Sequence, residues 1–272
     1  AVMLTDANIE TLSSGTLFNN RYSILKLLGK GGMGVVYKAV DIITGADVAV
    51  KVLRNHVKDD PAYIQSLKDE VARGLRWNHP SFLQIRHLEV ESVQPFVVME
   101  LMDRDAKEWL DSNGGQVDVK DVLSVVQSIA SALTVMHEDG HIHLDLKPEN
   151  VLLNDKTAKL ADFGISSSLK EQRGGHSGSG TLFYSPPEQM DGGQCDVRTD
   201  IYALGMMTGQ LLAGRFPFAL KKAEEVQDWH RSGSRDFGYL SGKVAQVLGK
   251  ACAVSIDERY RTVSEFIEEL EK

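Results

Sequence analysis

The sequence predicts an α+β chain in which a small strand-rich lobe precedes a larger, mainly helical one. Three observations lead there. Runs rich in β-branched residues crowd the stretch from Arg21 to Leu101, with one helical run among them. From Val119 onward apolar residues recur at helical spacing. Between these runs stand the cap and turn residues each kind of element needs.

The elements follow in order. Residues 1–17 are rich in Thr, Ser, Asn and Gly without a clear period, and read as a flexible tail. Tyr22 to Leu28 is a strand that runs into Gly29-Lys-Gly31-Gly32-Met-Gly34. Val35 to Val40 continues as a second strand, Asp41 to Gly45 turns, and Asp47 to Lys51 forms a third. Asp60-Pro61 opens a helix with a capping aspartate and a proline in the first turn, running to about Trp77. Strands near Leu83–Glu89 and Phe96–Leu101 complete the first lobe. Val119 to Glu138 places Val122, Val126, Ile129, Leu133 and Met136 on one helical face, with Gly140 just past its end. Ile201 to Leu212 is apolar on most sides, which predicts a buried helix. Thr262-Val-Ser-Glu265 is a capping box for the last helix. The stretch Arg173 to Gly180 has almost no apolar content and is expected to be mobile.

Composition bounds the function. The 272 residues are 42% hydrophobic and 25% charged, ordinary for a globular chain. Thirty lysines and arginines against 38 acidic residues give a net charge of −8, which disfavours nucleic acid as a partner. Cys195 and Cys252 form no CxxC, so a reduced cytoplasmic protein is expected. No apolar run approaches the roughly 18 residues of a membrane span, and no secretory signal is visible. The sequence is silent on oligomeric state.

Four motifs carry chemistry. The glycine loop leads into a strand rather than a helix, unlike a dinucleotide site. By itself it suits a backbone cover for phosphates or a plain turn. Lys51 ends the apolar strand Val48-Ala49-Val50, where a lysine is ordinarily a snorkelling edge residue, and gains meaning only beside a carboxylate. Glu70, in the middle of the first helix, is the candidate. The string His141-Ile-His143-Leu-Asp145-Leu-Lys147-Pro-Glu-Asn150 packs an aspartate, a lysine and an asparagine into six positions. Its two histidines read as core or loop residues, since no third metal ligand is evident. Asp162-Phe163-Gly164 follows Asn150 by twelve residues.

In this order the segments resemble the signature set of the eukaryotic-type serine/threonine protein kinases, in a bacterial-like form, from about Phe18 to Lys272. Gly180-Thr181-Leu-Phe-Tyr-Ser-Pro-Pro-Glu188 resembles the family's peptide platform. Asp200 to Gly205 resembles the family's D-x-W-S-x-G helix, and Arg259 its late arginine partner for Glu188. The resemblance implies two lobes, residues 18–101 with a five-stranded antiparallel sheet and one helix, and residues 102–272, mainly helical. ATP is expected between them.

It also assigns roles. Asn150 and Asp162 would hold Mg²⁺ (or Mn²⁺), whose few protein oxygens are completed by phosphate and water. Lys51, held by Glu70, would meet the α- and β-phosphates under the loop of Gly29, Gly31, Gly32 and Gly34. Lys147 would neutralise the transferred phosphoryl group. Asp145 would orient the acceptor hydroxyl and take its proton. Adenine would sit among Leu28, Val36, Ala49 and Leu152, with Met99 as gatekeeper and backbone groups of Glu100 to Met102 as the hinge. The activity implied is transfer of the ATP γ-phosphate to Ser or Thr of a protein, with autophosphorylation as a further outcome.

Two positions depart from the family pattern. Leu144 stands where many members have an arginine that pairs with a phosphorylated activation loop, so activity less dependent on loop phosphorylation is expected. Pro186 replaces the alanine of the platform's A-P-E and should stiffen it. Glu149 suggests a preference for basic residues around the acceptor. The competing reading is a nucleotide-binding regulatory scaffold without catalysis, against which stand the intact Lys51, Asp145, Asn150 and Asp162.

Overall fold

The structure is a computed structural model and describes residues 5–162, 182–219, 222–233 and 237–272. Two compact units emerge. The first runs to Asn78 and resumes over Leu83–Asp103; the second joins His79–Phe82 to Arg104–Lys272. The lobe boundary expected after residue 101 thus falls two residues later, and a four-residue insert belongs to the second unit. That insert is tied there by the Leu160 N–H, which donates to the Ser81 carbonyl at 2.7 Å, and by His79 Nε2, 3.1 Å from Ser131 Oγ.

The first unit is a six-stranded antiparallel sheet in the order β1-β2-β3-β4-β6-β5. Its strands are β1 (Leu17–Phe18), β2 (Tyr22–Lys30), β3 (Gly34–Asp41), β4 (Asp47–Leu53), β5 (Ile85–Glu89) and β6 (Phe96–Glu100). The sixth strand, beyond the five expected, is β1, two residues too short to leave a period in the sequence. One face follows the two-residue alternation of a strand: Val35, Tyr37 and Ala39 of β3, with Val48, Val50 and Val52 of β4, pack on Phe18, Tyr22, Ile24, Phe96 and Val98. The opposite parity carries Val36, Lys51, Ala49 and Met99.

Helix α3 (Pro61–Trp77) has the predicted bounds. Asp60 accepts the Ala62 and Tyr63 N–H groups, and Asn78 ends the helix in a left-handed conformation at φ 36°. Two short helices join it: α1 (Asp6–Ile9) and α2 (Asn55–Lys58). The expected tail is therefore ordered from Thr5. Ile9 is fully buried in the sheet core and its carbonyl accepts the Tyr37 hydroxyl at 2.6 Å.

The second unit contains α4 (Ala106–Ser112), α5 (Val119–Glu138), α6 (Pro187–Met190), α7 (Val197–Ala213), α8 (Ala223–Arg231), α9 (Gly242–Ala251) and α10 (Val263–Glu271). It also carries the small sheet β7 (Arg104–Asp105), β8 (Val151–Leu153) and β9 (Ala158–Leu160). Helix α7 begins four residues before the predicted Ile201, because Asp196 and Thr199 form a reciprocal capping box. At α10 only half the predicted box forms. Thr262 Oγ1 accepts the Glu265 N–H, but the Glu265 carboxylate takes the Arg261 N–H instead. One expectation needs correcting: α5 is long and apolar enough to cross a membrane, with a mean hydropathy of 1.4. Its apolar residues Val122, Val126, Ile129, Leu133 and Met136 are buried within the second unit, where α5 packs on α7 and α10, so its composition is that of a core helix.

Candidate active site

In the first unit the predicted nucleotide residues share one face. Val36 pairs with Lys51 across β3 and β4, and Ala49 pairs with Met99 across β4 and β6. Leu28 falls at an irregularity where the register of β2 shifts between Leu27 and Gly29, and is exposed. Glu70 of α3 is buried at 3% exposure, and Lys51 is half-buried. A buried carboxylate demands donors or a cation. Glu100 accepts the Gln84 N–H at 2.6 Å, which fixes the end of β6, and Met102 is buried.

The glycines divide into two kinds. A Cβ at Gly34 would meet the Val52 carbonyl oxygen at 2.6 Å, so close backbone approach demands glycine there. A Cβ at Gly29 or Gly32 would meet nothing within 4 Å, and one at Gly31 only the Gly34 carbonyl at 3.7 Å. None of these glycines has a positive φ. The loop's own packing and conformation thus leave Gly29, Gly31 and Gly32 unexplained, and a bare backbone surface is what a phosphate needs.

The second unit gathers the ionic residues. Lys147 Nζ donates to Asp145 Oδ2 at 3.0 Å, and Asn150 Nδ2 lies 3.2 Å from the same oxygen and 2.7 Å from the Asp145 carbonyl. The Ala161 N–H donates to the Asn150 carbonyl at 2.9 Å, bringing the start of the Asp162 segment alongside. Asp162 is exposed at φ 55°, a left-handed conformation that aspartate tolerates better than most residues. Leu152 lies two residues beyond Asn150 on β8, half-buried and paired with Lys159. Phe163, Gly164, Thr181 and the expected mobile stretch lie outside the described residues.

Sequence reasoning missed the support beneath this loop. Asp200, 1% exposed at the head of α7, accepts the backbone N–H groups of His143 and Leu144 at 2.8 and 2.9 Å, and lies 2.8 Å from His137 Nε2. Burial pushes its carboxyl up, but the His137 contact and the amides prevail and hold it below the usual range. The available signal was an acidic residue heading an apolar helix. His143 is fully buried: its Nδ1 accepts the Asp145 N–H, so the neutral ring's proton sits on Nε2, facing the Ala161 carbonyl at 3.1 Å. It is a core residue, as read from the sequence. Leu144 is buried at φ 63°, and its carbonyl accepts Gln189 Nε2 at 2.6 Å.

Arg259 donates to both oxygens of Glu188, at 2.7 and 2.9 Å, and its remaining N–H groups reach the Ala253, Arg198 and Val254 carbonyls. Among the described residues no three His, Cys, Asp or Glu side chains gather as a metal cluster. Asn150 and Asp162 instead offer two hard oxygen donors on adjoining segments, which fits a Mg²⁺ that keeps water and phosphate ligands. A cavity of about 290 Å³ beside Arg104, Trp109 and Lys156 contains none of the predicted site residues.

Residues 22–265 match the protein kinase domain family. The chain belongs to that family. The family uses ATP with a divalent cation. The kinase is 33% identical over 260 residues to serine/threonine-protein kinase PrkC of Bacillus subtilis, and 31% identical over 262 to PknB of Mycobacterium tuberculosis. These alignments take in 92% and 91% of this chain but 40% and 42% of the relatives, so the chain spans about two-fifths of their length. The crystal structure of the Mycobacterium tuberculosis PknI kinase domain is similar at a TM-score of 0.68 and 28% identity, covering 96% of this chain and 98% of that one.

Proposed function

We propose that this kinase transfers the γ-phosphate of ATP to serine or threonine hydroxyls of proteins, its own included, using Asp145, Lys147, Asn150 and Asp162 with Lys51 and the glycine loop. The convergence of Lys147 and Asn150 on one carboxylate oxygen of Asp145 carries the reading. It holds the carboxylate in one orientation, as phosphoryl transfer, which depends on positioning, requires.

Asp145 receives the proton of the acceptor hydroxyl. Lys147 offsets charge on the group in flight. Lys51, kept in place by Glu70, binds the α- and β-phosphates, while Val36, Ala49, Met99 and Leu28 line the adenine and Glu100 to Met102 supply backbone partners. A divalent ion, Mg²⁺ or Mn²⁺, held by Asn150 and Asp162, would supply neutralisation of phosphate charge when bound.

Glu149 supports a preference for basic substrates. Its Oε2 is buried without a hydrogen-bond partner among the described residues, and its charge helps burial raise the pKa of Tyr184 in the platform. A cationic peptide side chain would satisfy it. Cys195 and Cys252 are free thiols, which suits the cytoplasm, where ATP is abundant.

The test is incubation with γ-labelled ATP and Mg²⁺ over a peptide array, followed by phosphoamino-acid analysis. Label on serine or threonine, enriched beside arginine or lysine, is expected. Nucleotide binding without any transfer would favour the regulatory scaffold instead.

A further inference from the structure

The N-terminal segment is bonded to the glycine loop through one carboxylate. Glu10 follows α1 directly. Its Oε2 lies 3.1 Å from Lys30 Nζ, within the loop sequence, and its Oε1 lies 2.6 Å from Arg54 NH1, just past β4. Arg54 in turn donates Nε to the Gly31 carbonyl at 2.9 Å and its backbone N–H to the Met33 carbonyl at 3.0 Å. The chain of contacts therefore runs from Glu10 to both limbs of the loop.

The far end is anchored. Ile9 is fully buried, the Tyr37 hydroxyl donates to its carbonyl, and Asp6 accepts the Asn55 N–H at 3.0 Å at the start of α2. An isolated exposed ion pair contributes little. Here the side chains of Glu10 and Arg54 are only 31% and 17% exposed, and each is fixed at its backbone by core packing or a strand end.

We propose that Glu10 and Arg54 are positioning residues that restrain the glycine loop before nucleotide arrives. Glycines have the largest conformational freedom to lose, so a loop ordered in advance spares the nucleotide that cost. The proposal rests on reading this loop as the phosphate cover. Because the restraint acts equally before and during transfer, it affects KM for ATP rather than kcat.

The experiment measures backbone amide exchange over residues 29–34 without nucleotide, together with ATP kinetics, in Glu10→Ala, Arg54→Ala, the double variant and the conservative Glu10→Asp. The Gly31 N–H, which donates to the Gly34 carbonyl at 2.9 Å, is the key probe. Exchange there should quicken about fivefold in each alanine variant, with KM for ATP rising by a similar factor and kcat within about twofold. The double variant should match the singles, since both break one chain. Glu10→Asp should recover part of the protection. Unchanged loop exchange overturns the proposal, as does equal quickening across Val48–Val52, which would mean general destabilisation. Faster loop exchange with an unmoved KM leaves the restraint standing and refutes the loop as phosphate cover.

Discussion

The carboxylate of Asp200 holds the backbone of His143, accepting its N–H at 2.8 Å, and takes the next amide, that of Leu144, at 2.9 Å. These bonds fix the chain immediately before Asp145. Asp200→Asn turns one acceptor toward these donors into a donor. It is expected to lower kcat about tenfold to a hundredfold, with KM for ATP nearly constant, and to cost about 2–4 kcal/mol of stability. Steady-state kinetics and urea unfolding read both. An unaltered kcat would mean the catalytic loop needs no such support.

Leu144 supplies no cation to meet a phosphorylated activation loop. Alanine at Ser166, Ser167, Ser168, Ser177 and Ser179, singly and together, should therefore lower the rate by less than about tenfold, or 1.4 kcal/mol. Phosphatase-treated enzyme should behave alike. A larger loss in every variant would contradict the inference.

Glu188 and Arg259 form a two-pronged buried pair with the arginine side chain wholly enclosed. Arg259→Ala leaves the buried carboxylate with only the Thr199 hydroxyl, 3.0 Å away, and takes a donor from three backbone carbonyls, and should cost about 3–5 kcal/mol. In a double-mutant cycle, Glu188→Gln should cost much less on the alanine background than alone. Additive losses would show that the two act independently.

The Arg21 guanidinium, donating Nε and NH2 to the two oxygens of Asp41 at 3.0 and 2.8 Å, holds that carboxyl well below the usual range, against a smaller upward push from burial. The folded-state pKa is depressed, so the associated stability is complete above the unfolded value of about 3.9 and disappears as pH falls through the folded value. Asp41→Asn should be less stable than wild type at pH 7, with the gap narrowing below about pH 4. Urea midpoints across pH 3 to 7 test this, and a constant gap would refute it.

Much of the site was legible because its ionic residues stand close in sequence. Asp145, Lys147 and Asn150 fall within six positions, and Asp60-Pro61 opens α3 by local capping chemistry. Asp200 works through main-chain amides more than 50 residues away, which no spacing encodes. The N-terminal segment was misread because α1 has four residues and one buried apolar side chain, too few for a period. Helix α5 passed for ordinary in the sequence although it meets the length and hydropathy of a span; only packing assigns it to a core.

In the proposed mechanism Asp145 receives the acceptor proton within a preorganised ionic set. Transfer of γ-labelled phosphate to a serine peptide, measured for wild type and Asp145→Asn at saturating ATP and Mg²⁺, tests it most directly. A loss of at least about a hundredfold in transfer is expected, with ATP affinity retained. Equal transfer by the two proteins would contradict it.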